Sequence, residues 1–299
     1  MQPVAGGSTV GGRHVGEGAT MTTVVVGTEG TASSDAAVLW AARTAHDRGA
    51  ELLVVHATGL SGSGLHEYED ATEQAARSLL DAEVARIREH VPVVPRTVVD
   101  HRRPGRALCD RSQDAALLVV GSHPHNALER VFSGSLSYQV AAGARCPVVV
   151  VPALPAREAS DVVVGVDGSA DSLAAVRLAA AEAHRTGGEL HVVMAWEQPA
   201  TYVPVQYLSG GYDEQMLEHE KVALAESVAG LAEDYPDLVV HRELVQGRPA
   251  PVLLERARGA RLLVVGTHGR QGVARMLLGS VAHTLVLHAT CPVAVVRIR

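Results

Sequence analysis

Aromatic side chains are scarce, at 3% of 299 residues, with one Phe and two Trp. A core for a chain this long must then be aliphatic, which suits buried parallel strands, because they read as continuous Val and Leu runs. Lysine is scarcer still: of 26 basic residues only Lys221 is a lysine. It lies between Glu220 and Val222 in a helical stretch and reads as a solvated helix charge. A Walker loop needs lysine directly after glycine, so P-loop ATPase and kinase chemistry are disfavoured. Three cysteines, Cys109, Cys146 and Cys291, are too few and too scattered for a disulfide framework or a Cys-rich zinc site. Structural thiols in a reducing cytoplasm are expected. Positive charge is not in excess: 26 basic against 33 acidic residues give a net charge of -7, which argues against a nucleic-acid-binding face. No apolar run reaches the roughly 18 residues of a membrane span. Residues 1–20 are Gly-rich and lack the apolar segment of a signal peptide; they read as a disordered tail or a misassigned start ahead of Met21.

What is abundant is repetition. Val24-Val25-Val26-Gly27-Thr28-Glu29-Gly30-Thr31 matches Val162-Val163-Val164-Gly165-Val166-Asp167-Gly168-Ser169 at an offset of 138. The runs beginning at Gly49 and Gly187 keep that offset. Leu117 to His123 matches Leu262 to His268 at an offset of 145, so the second copy carries seven extra residues, expected around Tyr202–Tyr212. Gly134-Ser135 matches Gly279-Ser280, and Cys146-Pro147-Val148 matches Cys291-Pro292-Val293. The unit is domain-sized, not a solenoid repeat. The expected division is a tail over 1–20, one domain over 21–152, a Pro/Ala/charged linker over 153–160, and its duplicate over 161–299.

Each copy alternates strand and helix. In the second, strands are expected over Asp161–Val166, Glu189–Ala195, Leu238–Val245, Arg261–Gly266 and Pro292–Ile298. Helices are expected over Ala170–Thr186, Asp213–Asp234, Pro249–Ala257 and Ser280–His288. Such alternation predicts an α/β fold with a parallel sheet, helices on both faces and right-handed crossovers. Ligands bind such sheets at the carboxyl ends of the strands.

At that edge of the second copy the fourth strand ends in Gly266-Thr267-His268-Gly269-Arg270 and the next helix opens at Gly279-Ser280, a spacing of G-x2-G-x9-G-S. Gly266 and Gly269 permit positive φ and close backbone approach. Backbone N–H groups at a helix start, with the Ser280 hydroxyl, suit an anion, and Arg270 and Arg275 add charge. A phosphate chain is the natural guest; the alternative is that the glycines only make turns. Asp167 reads as a sugar contact or as the N-cap of the next helix, a role Ser169 offers too.

Taken together, these residues resemble the universal stress proteins of the tandem-domain type. The ATP-binding members of that family carry the loop fitted by Gly266, Gly269, Gly279 and Ser280, an Asp after the first strand matched by Asp167, and a terminal C-P-V strand matched from Cys291. The resemblance implies two doubly wound five-stranded parallel sheets of order 3-2-1-4-5. It implies adenine near Gly165, Val166 and Ala195, ribose at Asp167, and phosphates on Gly269, Gly279, Ser280 and Val281 with His268 beside them; Gly266, Thr267 and Arg270 complete the candidate binding loop. It also implies pairing of the fifth strands, Val148–Val151 with Val293–Val296. ATP, with Mg2+ held mostly by phosphate oxygens, is the implied ligand. The first copy offers Gly27, Glu29 and Ala57 at the base and sugar end. At the loop it offers Gly121, Gly134, Ser135 and Leu136. It departs from the pattern where Pro124 replaces the second Gly, since Pro has no N–H and a fixed φ. Glu29 replaces Asp167, and Glu129-Arg130 replaces Ala274-Arg275. The second copy is expected to be the stronger site.

No G-x-G-x-x-G follows either first strand, and no G-x-S-x-G elbow occurs. Among 15 histidines, His123 and His125 flank Pro124 on a loop, and His283 and His288 lack the i, i+4 spacing of a helical metal pair. No metal ligand set and no catalytic residue are expected. The resulting expectation is a cytoplasmic, ATP-binding regulatory stress-response protein, whose nucleotide occupancy tunes conformation or partner binding. Unidentified protein partners and a homodimer are compatible with it; nucleic acid and membrane are not expected. The alternatives are a slow ATPase or ATP-using enzyme of the same superfamily, and a nucleotide-free interaction scaffold.

Overall fold

The structure is a computed structural model that describes residues 22–60, 69–122, 136–152, 154, 159–197, 212–269 and 278–298. The tail over 1–20, His123, Pro124, His125, Glu129, Arg130, Gly134, Ser135, Arg270, Arg275 and most of the extra segment around Tyr202 lie outside the described residues.

The first half runs β1 (Thr23–Thr28), α1 (Ala32–Arg48), β2 (Glu51–Ala57), α2 (Glu69–His90), β3 (Arg96–Asp100), α3 (Pro104–Arg111), β4 (Ala115–Gly121), α4 (Leu136–Gly143) and β5 (Val148–Val151). The second runs β6 (Val162–Val166), α5 (Ala170–Thr186), β7 (Leu190–Trp196), α6 (Tyr212–Ser227), α7 (Leu231–Asp234), β8 (Val240–Gln246), α8 (Pro249–Arg256), β9 (Leu262–Gly266), α9 (Ser280–His288) and β10 (Val293–Val296). Helix boundaries follow local chemistry. Thr31 and Ser169 cap α1 and α5, and Gly49 and Gly187 end them at φ 60° and 66° in the left-handed conformation. Pro104 and Pro249 open α3 and α8, where a missing N–H costs nothing.

Within each half all strand pairs are parallel, in the expected order 3-2-1-4-5. The fifth strands then join antiparallel, Val293 opposite Val150 and Val295 opposite Val148, making one ten-stranded sheet of order β3-β2-β1-β4-β5-β10-β9-β6-β7-β8. The strands of the two halves therefore run in opposite directions, and their carboxyl ends lie at opposite ends of the sheet.

Two aliphatic layers hold the helices. Alanines of α1 and α5 (Ala37, Ala41, Ala42, Ala45; Ala175, Ala179, Ala180, Ala183) pack on Val24, Val26, Val162 and Val164. The opposite sheet face packs on α3, α4, α8 and α9 through Leu108, Val140, Leu253 and Leu285. Small side chains let α1 and α5 approach the sheet closely. Cys146 and Cys291 are buried in this second layer and Cys109 is half-buried; all three are free thiols. Burial pushes Cys291 up to about 11, so it is no thiolate at neutral pH.

One element departs from expectation. A single helix over Asp213–Asp234 is instead α6 and α7, separated at Gly230, which adopts φ 84° at the start of α7. An amphipathic pattern continues across the break because both pieces bury one face, Leu224 and Leu231, in the same layer.

Candidate functional site

At the carboxyl edge of the second half, β6 ends at Val166 and the chain turns through Asp167-Gly168-Ser169 into α5. Gly168 makes the turn with φ 79°. Ser169 takes the capping role: its hydroxyl accepts the Ser172 N–H at 3.2 Å and donates to the His268 carbonyl at 3.3 Å. Asp167 is not the cap. Its Oδ1 accepts the Ser169 N–H at 3.0 Å, while Oδ2 lies against Gly269, where an added Cβ would stand 2.5 Å away.

The glycines act differently from the sequence expectation. Neither Gly266 nor Gly269 adopts positive φ. Both are required by crowding instead. A Cβ on Gly266 would lie 2.8 Å from Cβ of Asp171 and 3.0 Å from the Ser172 nitrogen, so the bare strand end admits the first turn of α5. Gly165 likewise admits Leu253 of α8, which a Cβ would meet at 2.7 Å. Gly279 donates its N–H to the Thr267 carbonyl at 2.8 Å and would meet that same oxygen at 2.9 Å if it carried a Cβ.

Gly279 is the N-cap of α9 and supplies no side chain to its first turn. The leading N–H groups of a helix have no intrahelical partner, so Ser280, Val281 and Ala282 present uncapped donors at the positive end of the helix dipole. All three residues line a cleft of about 780 Å3. Its other walls bring together Gly165, Val166, Asp167, Ala195, Gly266, Thr267, His268, Gly269 and Gly279. Every described residue proposed from the sequence for nucleotide binding in the second copy thus lines one cleft. The sequence reading missed an apolar wall of Trp196, Met216, Pro249 and Leu253, and two carboxylates, Glu197 and Glu220. It also missed Asp171. That carboxylate accepts from the Thr267 hydroxyl, from the His268 N–H at 3.3 Å and from the Ile298 N–H at 3.0 Å. Burial works to raise its pKa, but these hydrogen bonds and nearby His268 outweigh burial and hold it below the usual carboxylate range. Asp171 ties the loop after β9 to α5 and to the chain beyond β10.

The first half differs at the corresponding edge. Gly27 and Gly121 repeat the packing roles, facing Leu108 at 2.9 Å and the Ser33 carbonyl at 2.6 Å from a would-be Cβ. Ser33 stands where the second half has Asp171, and it donates to the Ser122 carbonyl. Thr28 replaces Val166, and its hydroxyl donates to the buried Glu83 of α2 at 2.9 Å. Arg86 pairs with Glu83 and Asp35. His56 bonds the Thr28 carbonyl at 2.9 Å. Glu29 accepts the Thr31 hydroxyl at 3.0 Å. Ala57 ends β2 opposite Asp100, and Leu136 opens α4 against the core. A polar network thus spans β1 and α2 where the second half has an aliphatic strand end.

A duplicated, doubly wound α/β unit, with a glycine-lined cleft and an uncapped helix start at the strand ends, defines the class. The universal stress protein family profile matches residues 21–152 and again 159–297. A universal stress protein of Mycolicibacterium smegmatis is 36% identical over 294 residues, covering 92% of this chain and 97% of that protein. One of Mycobacterium tuberculosis is 34% identical over 289 residues, covering 92% and 96%. The chain belongs to the universal stress protein family. A crystal structure of a universal stress protein from Archaeoglobus fulgidus shares the fold, with a TM-score of 0.69 over 93% of this chain and 98% of that one at 17% identity. Among the described residues, no helix is long and apolar enough to cross a membrane.

Proposed function

We propose that the second half, taken as 161–299, binds ATP in this cleft and that occupancy regulates the protein's conformation or its choice of protein partner. The observation that carries the reading is the convergence of the uncapped α9 start with Asp167 and the Gly266–Gly269 turn in one cleft. Its volume falls within the usual range for small-molecule sites. In this reading adenine lies between Gly165, Val166, Ala195 and the Trp196 wall. Ribose hydroxyls donate to Asp167. The phosphates take N–H donors from Gly269, Ser280 and Val281 and the Ser280 hydroxyl, with charge from Arg270, and Mg2+ completes its shell from phosphate oxygens and water. Gly269 must stay bare for Asp167 to keep its position. The first half, 21–152, is the weaker site, because Thr28, Glu83 and Arg86 fill its strand end with their own ion pair and Pro124 lacks an N–H.

Titrating ATP while following Trp196 fluorescence tests this, since Trp40, the second tryptophan, is buried in the first-half core. Ser280→Asp places a carboxylate where the phosphates bind and still suits a helix start, so it should fold and bind ATP at least about tenfold more weakly. Ser135→Asp should change the same curve little. Equal ATP affinity in wild type and Ser280→Asp refutes the site. A second reading, slow hydrolysis, is favoured by Glu220, a carboxylate lining the cleft. Phosphate release of many turnovers per minute, abolished by Glu220→Gln, would replace the regulatory reading with an enzymatic one; slower release would leave the regulatory reading standing.

A further inference from the structure

We propose that Glu189, His191 and His241 form a site for a divalent transition metal of the zinc class at the amino-terminal ends of β7 and β8. His191 and His241 face each other in the parallel register of these strands. Their rings are stacked, 4.7 Å apart at 18°. Glu189 precedes His191 by two residues and so shares its sheet face. One ligand atom from each of the three lies within 4.8 Å of the others, and His241 Nε2 sits 2.6 Å from Glu189 Oε2. Zinc needs donors at roughly 2.0–2.2 Å, which small rotations of these side chains supply. Two imidazoles and one carboxylate suit zinc-class ions, whereas magnesium and calcium prefer all-oxygen shells. Glu189 and His241 are exposed, so water completes the coordination.

The first half shows what this position looks like without a metal. There Glu51, Leu53 and Arg96 occupy the equivalent places, and Arg96 pairs with Glu51 at 2.8 Å. The carboxylate is common to both halves. Its permanent cation in one is replaced by a pair of imidazoles in the other. Neighbouring groups leave the donors available to an ion: Glu243, next on the same face of β8, is paired with Arg256 at 2.7 Å, and Asp161 anchors the Glu189 backbone N–H at 3.2 Å. When the metal binds, the His241 Nε2 proton passes through solvent to Nδ1, and the Nε2 lone pair bonds the ion in its place. The site lies at the opposite end of the strands from the cleft, so it is not the Mg2+ that would accompany a nucleotide.

The test uses the full chain and Zn2+, by isothermal titration, with Co2+ visible absorption as the probe of coordination. His191→Leu with His241→Arg installs the first half's own pairing and should fold. The wild type should bind one more Zn2+ than this double variant, and Zn2+ should raise the melting temperature of the wild type by more. Glu189→Gln, which keeps the side-chain shape, should weaken that one equivalent roughly tenfold or more. Equal stoichiometry and equal melting shifts in wild type and double variant overturn the proposal. ATP binding should be unchanged in both variants, so failure of this site and failure of the cleft are read separately.

Discussion

Asp171 joins the loop after β9 and the chain beyond β10 to α5. It collects donors from Thr267, His268 and Ile298, three points brought together by the close of the second half. Its folded pKa is depressed, so its contribution to stability is complete above the ordinary Asp range and is lost as pH falls through the lower folded value. Asp171→Asn offers one carbonyl oxygen for these donors and should cost about 1–3 kcal/mol at neutral pH. That gap should narrow in acid, below roughly pH 4. Denaturant titrations of both proteins at neutral and acid pH measure it; a gap that does not change with pH would rule out the carboxylate's charge as its source. Gly269 makes the functional counterpart. Gly269→Ala forces Asp167 aside, and its ATP affinity should fall about tenfold or more with little change in melting temperature; unchanged affinity would remove Asp167 from the ligand. Asp167 and Gly269 are legible in sequence because both fit the motif of the family that the chain resembles, although the first copy has Glu29 and Pro124 in their places. Asp171 and Trp196 lie outside that motif, and their first-half counterparts, Ser33 and Thr58, share no chemistry with them, so neither the motif nor the repeat marks them.

Secondary elements were the most legible part of the chain. Buried parallel strands carry the Val-rich runs of β1, β4, β6 and β9, and the same runs recur in both copies, so the strands could be located, whereas their order and the joining of β5 with β10 were implied by the family resemblance alone. Helix breaks were harder to read. Periodicity records which face is buried, and α6 and α7 bury the same face on either side of Gly230. The break depends on one left-handed residue, and no atom lies within 4 Å of the Cβ a side chain would add there. Gly230→Ala should therefore cost about 1 kcal/mol through backbone strain alone. A calorimetric melt measures it, and a stabilised variant would mean that α6 and α7 can fuse into one helix. Cross-strand neighbours were out of reach for a related reason. His191 and His241 are 50 residues apart in sequence, and they meet only because β7 and β8 pair in that register.

At the scale of the whole molecule, the two halves share more than the β5–β10 ladder. Glu182 of α5 is 1% exposed and accepts Arg48 of α1 at 3.0 Å and Arg185 of its own helix. Asp47 of α1 pairs with Arg185 at 3.0 Å and with Arg261 at 3.6 Å. Burial pushes the Glu182 carboxyl up, but Arg48 and Arg185 outweigh it and hold it below the usual range. A buried ion pair is weak evidence for net stability, yet removing one partner strands the other charge. Glu182→Ala takes this carboxylate from Arg48 and leaves Arg185 and Arg261 sharing Asp47. It should cost about 3 kcal/mol, the lower end of the range for broken buried pairs, because the arginines are partly exposed. The loss falls on the contact between α1 and α5, so the halves should unfold less cooperatively, and a single calorimetric transition should broaden or split. With its folded pKa depressed, Glu182 stabilises fully above the ordinary Glu range and stops doing so as pH falls below roughly 4 toward that lower value. Wild type and variant should therefore differ most near neutrality and converge in acid. If Glu182→Ala melts in one sharp transition at the wild-type temperature, the cluster does not couple the halves, and the β5–β10 ladder with its aliphatic layers is sufficient to do so.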